Sequence, residues 1–384
     1  MPSTRAGRFV RQRGGYRAFL PAPLPPPNLD IDAQLQALLS SADLALGRLD
    51  GATKLLPDPD FFVLMYVRRE AVVSSQIEGT QASLMDVLEF EAEMDQAERR
   101  VDVVEIANYI NAMNHGLARL ADLPISRRLL GEVHAVLMKD VRGDEPQKTP
   151  GEFRRSQNWI GGVSPATARF VPPPWEDVGP AFSDLERYLH DDEPMPALIK
   201  AGLAHAQFET IHPFLDGNGR VGRLLISFWL VEQKVIQRPI LYPSLFFKDH
   251  RNDYIDRLQA IRDEGAWEDW LAFFVDGIGQ VAEEATGRAY KIVHLREDHQ
   301  RLVSERLGKR APNALALLGH LFRQPVVSAK LVESLVDVSQ PTASALVRDL
   351  EEIGIHRERT GKRRNRLFAY QPYLDLFPGA TSRS

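Results

Sequence analysis

The sequence predicts a mainly α-helical protein with a short β-hairpin in its middle and a winged helix-turn-helix unit at its C-terminus. Three observations carry that expectation. Apolar residues recur at helical spacing over most of residues 31–282, a pattern that no strand could bury on one face. Between 141 and 175 the texture changes, and GEFRRSQNWIGG and ARFVPPP read as two β-prone stretches around a Gly/Ser/Pro turn. Past a charged helix at 284–307, three short helical segments precede two strand-like stretches on either side of Thr360-Gly361.

Taken in order, the first 17 residues hold five arginines and no acid, and FLPAPLPPPNLD (19–30) is proline-dense. Residues 1–30 therefore read as a flexible basic leader whose proline run is extended, with few hydrogen bonds of its own. Helices follow at 31–49, 59–78, 83–98, 101–121 and 126–140, the third opened by Ser83 and Asp86 as a capping pair. In the hairpin, PPP restricts the second stretch to an edge. Helices resume at 176–190, 196–209, 219–234, 250–263 and 266–282. The division expected is a leader (1–30), an N-terminal helical region (31–100), a core (101–283), a linker helix (284–308), the winged unit (309–377) and a tail (378–384).

Composition excludes several classes. The 384 residues, 44% apolar and 26% charged, are ordinary for a globular chain, and a net charge of −5 points to no partner. With no cysteine, there is no disulfide, thiolate metal site or cysteine nucleophile. The longest apolar runs, such as LLISFWLV (224–231), fall far short of a membrane span, so a cytoplasmic protein without membrane contact is expected.

Two stretches place charge where a helix disfavours it. In VVSSQIEGT, Ser74 and Glu78 lie four apart on one helical face, and Gly79 is the residue that stops the helix. Glu78 thus meets the negative end of the helix dipole, which costs about 0.3–1 kcal/mol unless a cation answers it. In HPFLDGNGRVGRLL (212–225), Gly217-Asn218-Gly219 is a flexible-backbone loop leading into a helix. That N-terminus is an anion site, yet Arg220 and Arg223 follow at once, where cations are disfavoured without an anion. Asp216 is the loop's carboxylate and suits Mg²⁺ shared with substrate phosphates. His212 supplies a base. Together these describe transfer from a nucleoside triphosphate. Neither a Walker loop ending nor the kinase HRD and DFG strings are present.

The string His212-Pro213-Phe214-Leu215-Asp216-Gly217-Asn218-Gly219-Arg220-Val221-Gly222-Arg223 resembles the Fic-family signature H-x-F-x-[D/E]-G-N-G-R-x-x-R at every fixed position. Ser74, Glu78 and Gly79 resemble that family's inhibitory motif [S/T]-x-x-x-E-[G/N], in the subclass that carries it N-terminal to the core. The resemblance runs over about residues 20–375 and implies a Fic-type helical bundle and protein adenylylation. It implies that His212 deprotonates a Ser, Thr or Tyr hydroxyl of a target protein, or of the chain itself, for attack on the α-phosphate of ATP. Asp216 would hold Mg²⁺; Gly217, Asn218, Gly219 and Arg220, with Val221 and Gly222, would form the ATP-binding segment, and Arg223 would grip the γ-phosphate. Tyr254 would line the adenosine pocket. Asn158, Trp159, Ile160, Gly161, Phe170 and Val171 would form a flap that aligns a target strand by backbone pairing. Homodimers are common in the family.

Other readings stay open at this point. A Fic relative could remove AMP or transfer another phosphate-containing group, and a DNA-binding regulator could use the core only to sense nucleotide. Zinc at His205, Glu209 and His212 matches no standard spacing. Arg154 and Arg155 read as surface or ion-paired residues, and Trp159, Trp267 and Trp270 as packing. The wing RERTGKRRNR (357–366) carries six basic residues against one acid and suits phosphate contact, whereas the helix before it has Arg348 and three acids. DNA and a protein partner both remain open for it. For Glu78, pairing with Arg223 is expected, with Ser74 orienting the carboxylate.

Overall fold

The computed structural model describes residues 5–54, 56, 59–92, 101–139, 141 and 149–377. The ends of the helices predicted to reach 98 and 140, and the tail from 378, lie outside the described residues. The chain opens with a hairpin, β1 (Gly7–Arg11) and β2 (Arg17–Pro21), followed by α1 (Ala33–Lys54), α2 (Pro59–Ile77), α3 (Leu84–Ala92), α4 (Val101–Arg119) and α5 (Arg127–Leu137). After the flap region come α6 (Trp175–Leu189), α7 (Ala197–Ile211), α8 (Asn218–Glu232), α9 (Ser244–Asp249), α10 (Arg251–Glu264) and α11 (Trp267–Leu307). The C-terminal unit holds α12 (Ala311–Leu321), α13 (Ala329–Val336), α14 (Gln340–Glu352) and α15 (Gln371–Leu374) with β3 (Val326–Ser328), β4 (Arg357–Glu358) and β5 (Leu367–Ala369), an antiparallel sheet in the order β3-β5-β4. Among the described residues, no helix is long and apolar enough to cross a membrane.

The core is built around α7 and α8. Every residue from Leu198 to Ile211 is buried, so α7 has no solvent face and must sit at the centre of the bundle. On α8 burial is equally continuous from Val221 to Leu230. Anchored rings hold the centre together: Trp229 Nε1 on α8 donates to the Ala197 carbonyl of α7 at 3.0 Å, and Trp270 Nε1 on α11 donates to the Gly202 carbonyl of α7 at 2.9 Å. The sharp turn joining α7 to α8 is the HPFLDG loop, so the most buried pair of helices fixes both ends of the motif. On the outside, α1 packs along α11, and α2 packs against α4 and α9.

Several expectations need correction. Residues 7–21 are a hairpin, not a flexible leader, and Ala18 and Phe19 are buried. Phe19 N–H donates to the Val171 carbonyl at 2.9 Å, which ties the hairpin to the flap region, and Gln207 Nε2 donates to the Ala22 carbonyl at 2.7 Å. The arginines point outward between apolar residues, and Gly14-Gly15 makes the turn, a two-residue signal that the charge density obscured. The linker helix is not separate: Trp267 to Leu307 form one 41-residue helix. The flap is a single bridge between Ile160 and Phe170, without regular strands. Trp267 and Trp270 are core residues, whereas Trp159 is 39% exposed. Ser83 and Asp86 do cap α3 reciprocally, with Ser83 N–H on Asp86 Oδ2 at 2.9 Å and Asp86 N–H on Ser83 Oγ at 3.2 Å.

Candidate active site

The motif occupies a helix–loop–helix whose two junctions are both left-handed. His212 ends α7 with φ 49°, a conformation uncommon for a residue with a side chain and characteristic of sites that hold strain. Gly217 starts α8 with φ 75°, where its missing Cβ avoids Met138 Sδ. The loop between them is stapled by Asn218, whose Oδ1 accepts from Phe214 N–H and whose Nδ2 donates to the Phe214 carbonyl, both at 2.8 Å. The Asn218 side chain therefore shapes the loop. Val221 faces the core.

Glu78 and Arg223 meet. Arg223 Nη2 lies 2.8 Å from Glu78 Oε1, donates to the Ser74 carbonyl at 2.9 Å, and Nε donates to Ser74 Oγ at 2.8 Å. The Arg223 side chain is 1% exposed while that of Glu78 is 41% exposed. Gly79, at φ 102°, permits the turn that ends α2 here. Ser74 is spent on the arginine and not on Glu78, which corrects its expected role. A Cβ on Gly219 would overlap the Glu78 carboxylate, so the glycine at the start of α8 is what admits the acid. Burial pushes the Glu78 carboxyl up, but Arg223, joined by Arg220 and His212, outweighs it and the net position is below the ordinary value. Burial likewise pulls Arg223 down, and Glu78 more than reverses it.

Arg220 is buried, with Nη2 3.8 Å from Asp216 Oδ1 and 3.7 Å from Met138 Sδ, and its Nε has no hydrogen-bond partner. Asp216 is 44% exposed on its side chain, and its Oδ1 accepts from Gly217 N–H at 2.7 Å. An exposed carboxylate beside a helix N-terminus and a buried guanidinium with an unused N–H fit a divalent cation carried by polyphosphate. Among the described residues, no group of three His, Asp or Glu could hold a metal without such a ligand.

His212 is sheltered, its side chain 17% exposed. Burial, then the nearby Arg154 and Arg262, push the imidazole down to about 4, so it is neutral at physiological pH. Arg154 is buried and not at the surface. It donates to four carbonyls, those of His212 (3.0 Å), Ser156 (3.1 Å), Pro173 (2.7 Å) and Ile211 (3.5 Å). Arg155 does lie at the surface, paired with Glu152 at 3.1 Å. His205 is no metal ligand either: its Nδ1 donates to the Gly222 carbonyl at 2.8 Å and its Nε2 accepts from Tyr254 at 2.9 Å. Tyr254 is thereby buried beneath the site, stacked on Phe247 with centroids 4.6 Å apart.

Beside the loop, Asn158 Nδ2 donates to the Phe214 carbonyl at 2.9 Å, Ile160 and Phe170 exchange backbone bonds of 2.8 and 3.1 Å, and Arg169 N–H donates to Gly161 at 3.3 Å. The Arg262 guanidinium sits 3.7 Å from the Phe170 ring centroid. One contributor escaped sequence reasoning altogether: His134 donates from Nε2 to the Asp216 carbonyl at 3.0 Å and accepts Gly151 N–H on Nδ1 at 2.8 Å. It also stacks on Phe214 at 3.8 Å.

The comparisons with known proteins agree with this construction. The Fic/DOC family N-terminal profile matches residues 36–118 and the Fic/DOC profile matches 124–230, two blocks that contain Glu78 and the His212–Arg223 loop. Residues 36–118 and 124–230 thus carry the N-terminal and Fic regions of the Fic/DOC family. It is 33% identical over 174 residues to the protein adenylyltransferase Fic of Culex quinquefasciatus, covering 44% of this chain and 30% of that protein. It is 27% identical over 205 residues to a probable protein adenylyltransferase of Aquifex aeolicus, covering 53% and 58% respectively. The chain thus spans less than two thirds of these relatives' lengths. Among solved structures, a Fic family protein from Desulfovibrio desulfuricans matches with TM-score 0.58 at 17% identity, over 90% of this chain and 98% of that one. That likeness is one of fold.

Proposed function

We propose that the protein is a protein adenylyltransferase that its own α2 holds in check. The observation carrying this reading is the 2.8 Å pair between Glu78 and Arg223 at the mouth of an anion-binding helix N-terminus. In the reaction, neutral His212 takes the proton of a Ser, Thr or Tyr hydroxyl on a target protein. The hydroxyl oxygen then bonds to the α-phosphorus of ATP, and pyrophosphate leaves with the electron pair. The first N–H groups of α8 and Arg220 stabilise the phosphates, and Arg223 binds the γ-phosphate once Glu78 lets go. Asp216 would hold Mg²⁺, which when bound neutralises charge on the leaving phosphates. The Ile160–Phe170 segment presents an edge on which a target strand aligns, with Phe19 covering the Val171 carbonyl.

The test is incubation with α-labelled ATP. Glu78→Gly should label itself or a lysate protein at least about tenfold faster than wild type, the gain expected when about 1.4 kcal/mol of competing pairing is removed. His212→Ala in the same background should lose about 10²-fold or more of the transfer while still binding ATP. Absence of label from Glu78→Gly under every condition would refute the activity.

A further inference from the structure

At the end of α7, Nδ1 of His212 and Oε1 of Glu209 are buried without hydrogen-bond partners, and the other oxygen of the same carboxylate, Oε2, is the one turned toward Nδ1. Nδ1 lies 3.8 Å from Glu209 Oε2, beyond hydrogen-bond length but within one side-chain adjustment of it. Buried groups without partners are few in folded proteins, and a matched donor and acceptor side by side point to a contact that forms in the working state.

A second observation concerns Gly222 on α8. A Cβ there would overlap Glu209 Oε1 and crowd the Phe208 ring, so the space for this carboxylate is made by a glycine within the motif itself. Gly222 has no phosphate to meet, because it faces α7 and its carbonyl anchors His205. The groups around Glu209 are Arg223 from α8, Arg262 and Tyr254 from α10, Glu78 at the end of α2, and His212. Burial pushes the Glu209 carboxyl up to about 7, with Arg223 opposing, Glu78 reinforcing and Arg262 opposing.

We propose that Glu209 is a positioning residue that accepts the Nδ1–H of His212, so that the Nε2 lone pair is the one presented to the target hydroxyl. During adenylyl transfer, on which the kinetic part of this proposal rests, the hydroxyl proton moves to Nε2. The imidazolium so formed keeps its Nδ1–H on the Glu209 carboxylate until Nε2 loses its proton to solvent. A protonated Glu209 would do the opposite, donating to Nδ1 and leaving the proton on Nε2. The main-chain carbonyl of Glu209 faces the same ring edge, so the side chain must be tested separately from the backbone.

Glu209→Ala does this, because it removes the carboxylate and keeps the carbonyl. In ¹⁵N-histidine-labelled full-length Glu78→Gly protein, with the His212 signals identified by their loss in His212→Ala, the resonances should show Nδ1 protonated and Nε2 bare. Glu209→Ala should shift His212 toward the other tautomer and lower kcat about 10- to 100-fold, with the KM for ATP changed less than about twofold. Gly222→Ala should do the same by displacing the carboxylate. Glu209→Gln keeps an acceptor oxygen, so it should restore the tautomer and most of the rate, and it should abolish the fall in rate that protonation of Glu209 causes as pH drops. If Glu209→Ala does not fold, the tautomer and pH profile of Glu209→Gln decide alone. An unchanged tautomer and rate in Glu209→Ala would overturn the proposal and leave the carbonyl as the sole acceptor. If no variant transfers label, the adenylyl reading fails, while the tautomer measurement still decides for or against Glu209.

Discussion

Arg223 and Arg154 are both buried arginines within reach of the motif loop, yet they are held in opposite ways. Arg223 is answered by a carboxylate from another helix, and that partner is 41% exposed. Arg154 is answered by four backbone carbonyls and no nearby acid in hydrogen-bond contact, and burial pushes it down to about 10. Carbonyls belong to the fold and cannot leave, whereas a half-exposed side chain at a helix terminus can. On the proposed reading, the same kind of residue serves as a structural clamp in one place and as a releasable ligand for phosphate in the other. Two glycines repeat the lesson: Gly219 makes room for Glu78, which the proposed reaction requires to depart, and Gly222 for Glu209, which it requires to stay.

The comparison can be broken most forcefully at Arg154. Arg154→Ala removes the donor from the His212, Ile211 and Pro173 carbonyls, leaving the first only Asn158 Nδ2 at 3.4 Å and the last only Gln157 Nε2 at 3.5 Å, and unmet buried groups cost about 1–3 kcal/mol each. A loss of about 3 kcal/mol, read as a melting temperature lower by about 4 °C in scanning calorimetry, is expected. A variant as stable as wild type would show that the clamp is dispensable.

How much of this was legible in the sequence follows from the same contrast. The Glu78–Arg223 pair could be anticipated because each charge sits at the wrong end of a helix, and helix ends can be read from Gly79 and Gly217. Arg154 could not, since its partners are carbonyls up to 58 residues away and carry no sequence signal. His134 was hidden for a similar reason, with its two partners on Asp216 and Gly151 backbone groups. The role of Ser74 was misread because spacing on one helix showed that it shares a face with Glu78, but not that the arginine reaches both. The N-terminal hairpin was missed where five arginines concealed the Phe9–Phe19 alternation, and α9 where SLFFKD is too short for periodicity to declare itself.

The smallest effect expected is that of pH on the brake. Because the folded pKa of Glu78 lies below its ordinary 4.5, the pairing is fully present above 4.5 and is lost only as pH falls through the lower folded value. The ratio of Glu78→Gly to wild-type labelling should therefore not fall between about pH 8 and 5.5. A ratio that shrinks across that window would mean that Glu78 takes up a proton there, contrary to its pairing with Arg223.

The central claim, that Glu78 restrains the protein by withholding Arg223, is tested most directly by a double-mutant cycle on label transfer. Glu78→Gly should raise the rate at least about tenfold when Arg223 is present and give no gain in an Arg223→Ala background, a coupling of about 1.4 kcal/mol or more. An equal gain in both backgrounds would contradict the account, because Glu78 would then be acting on something other than Arg223.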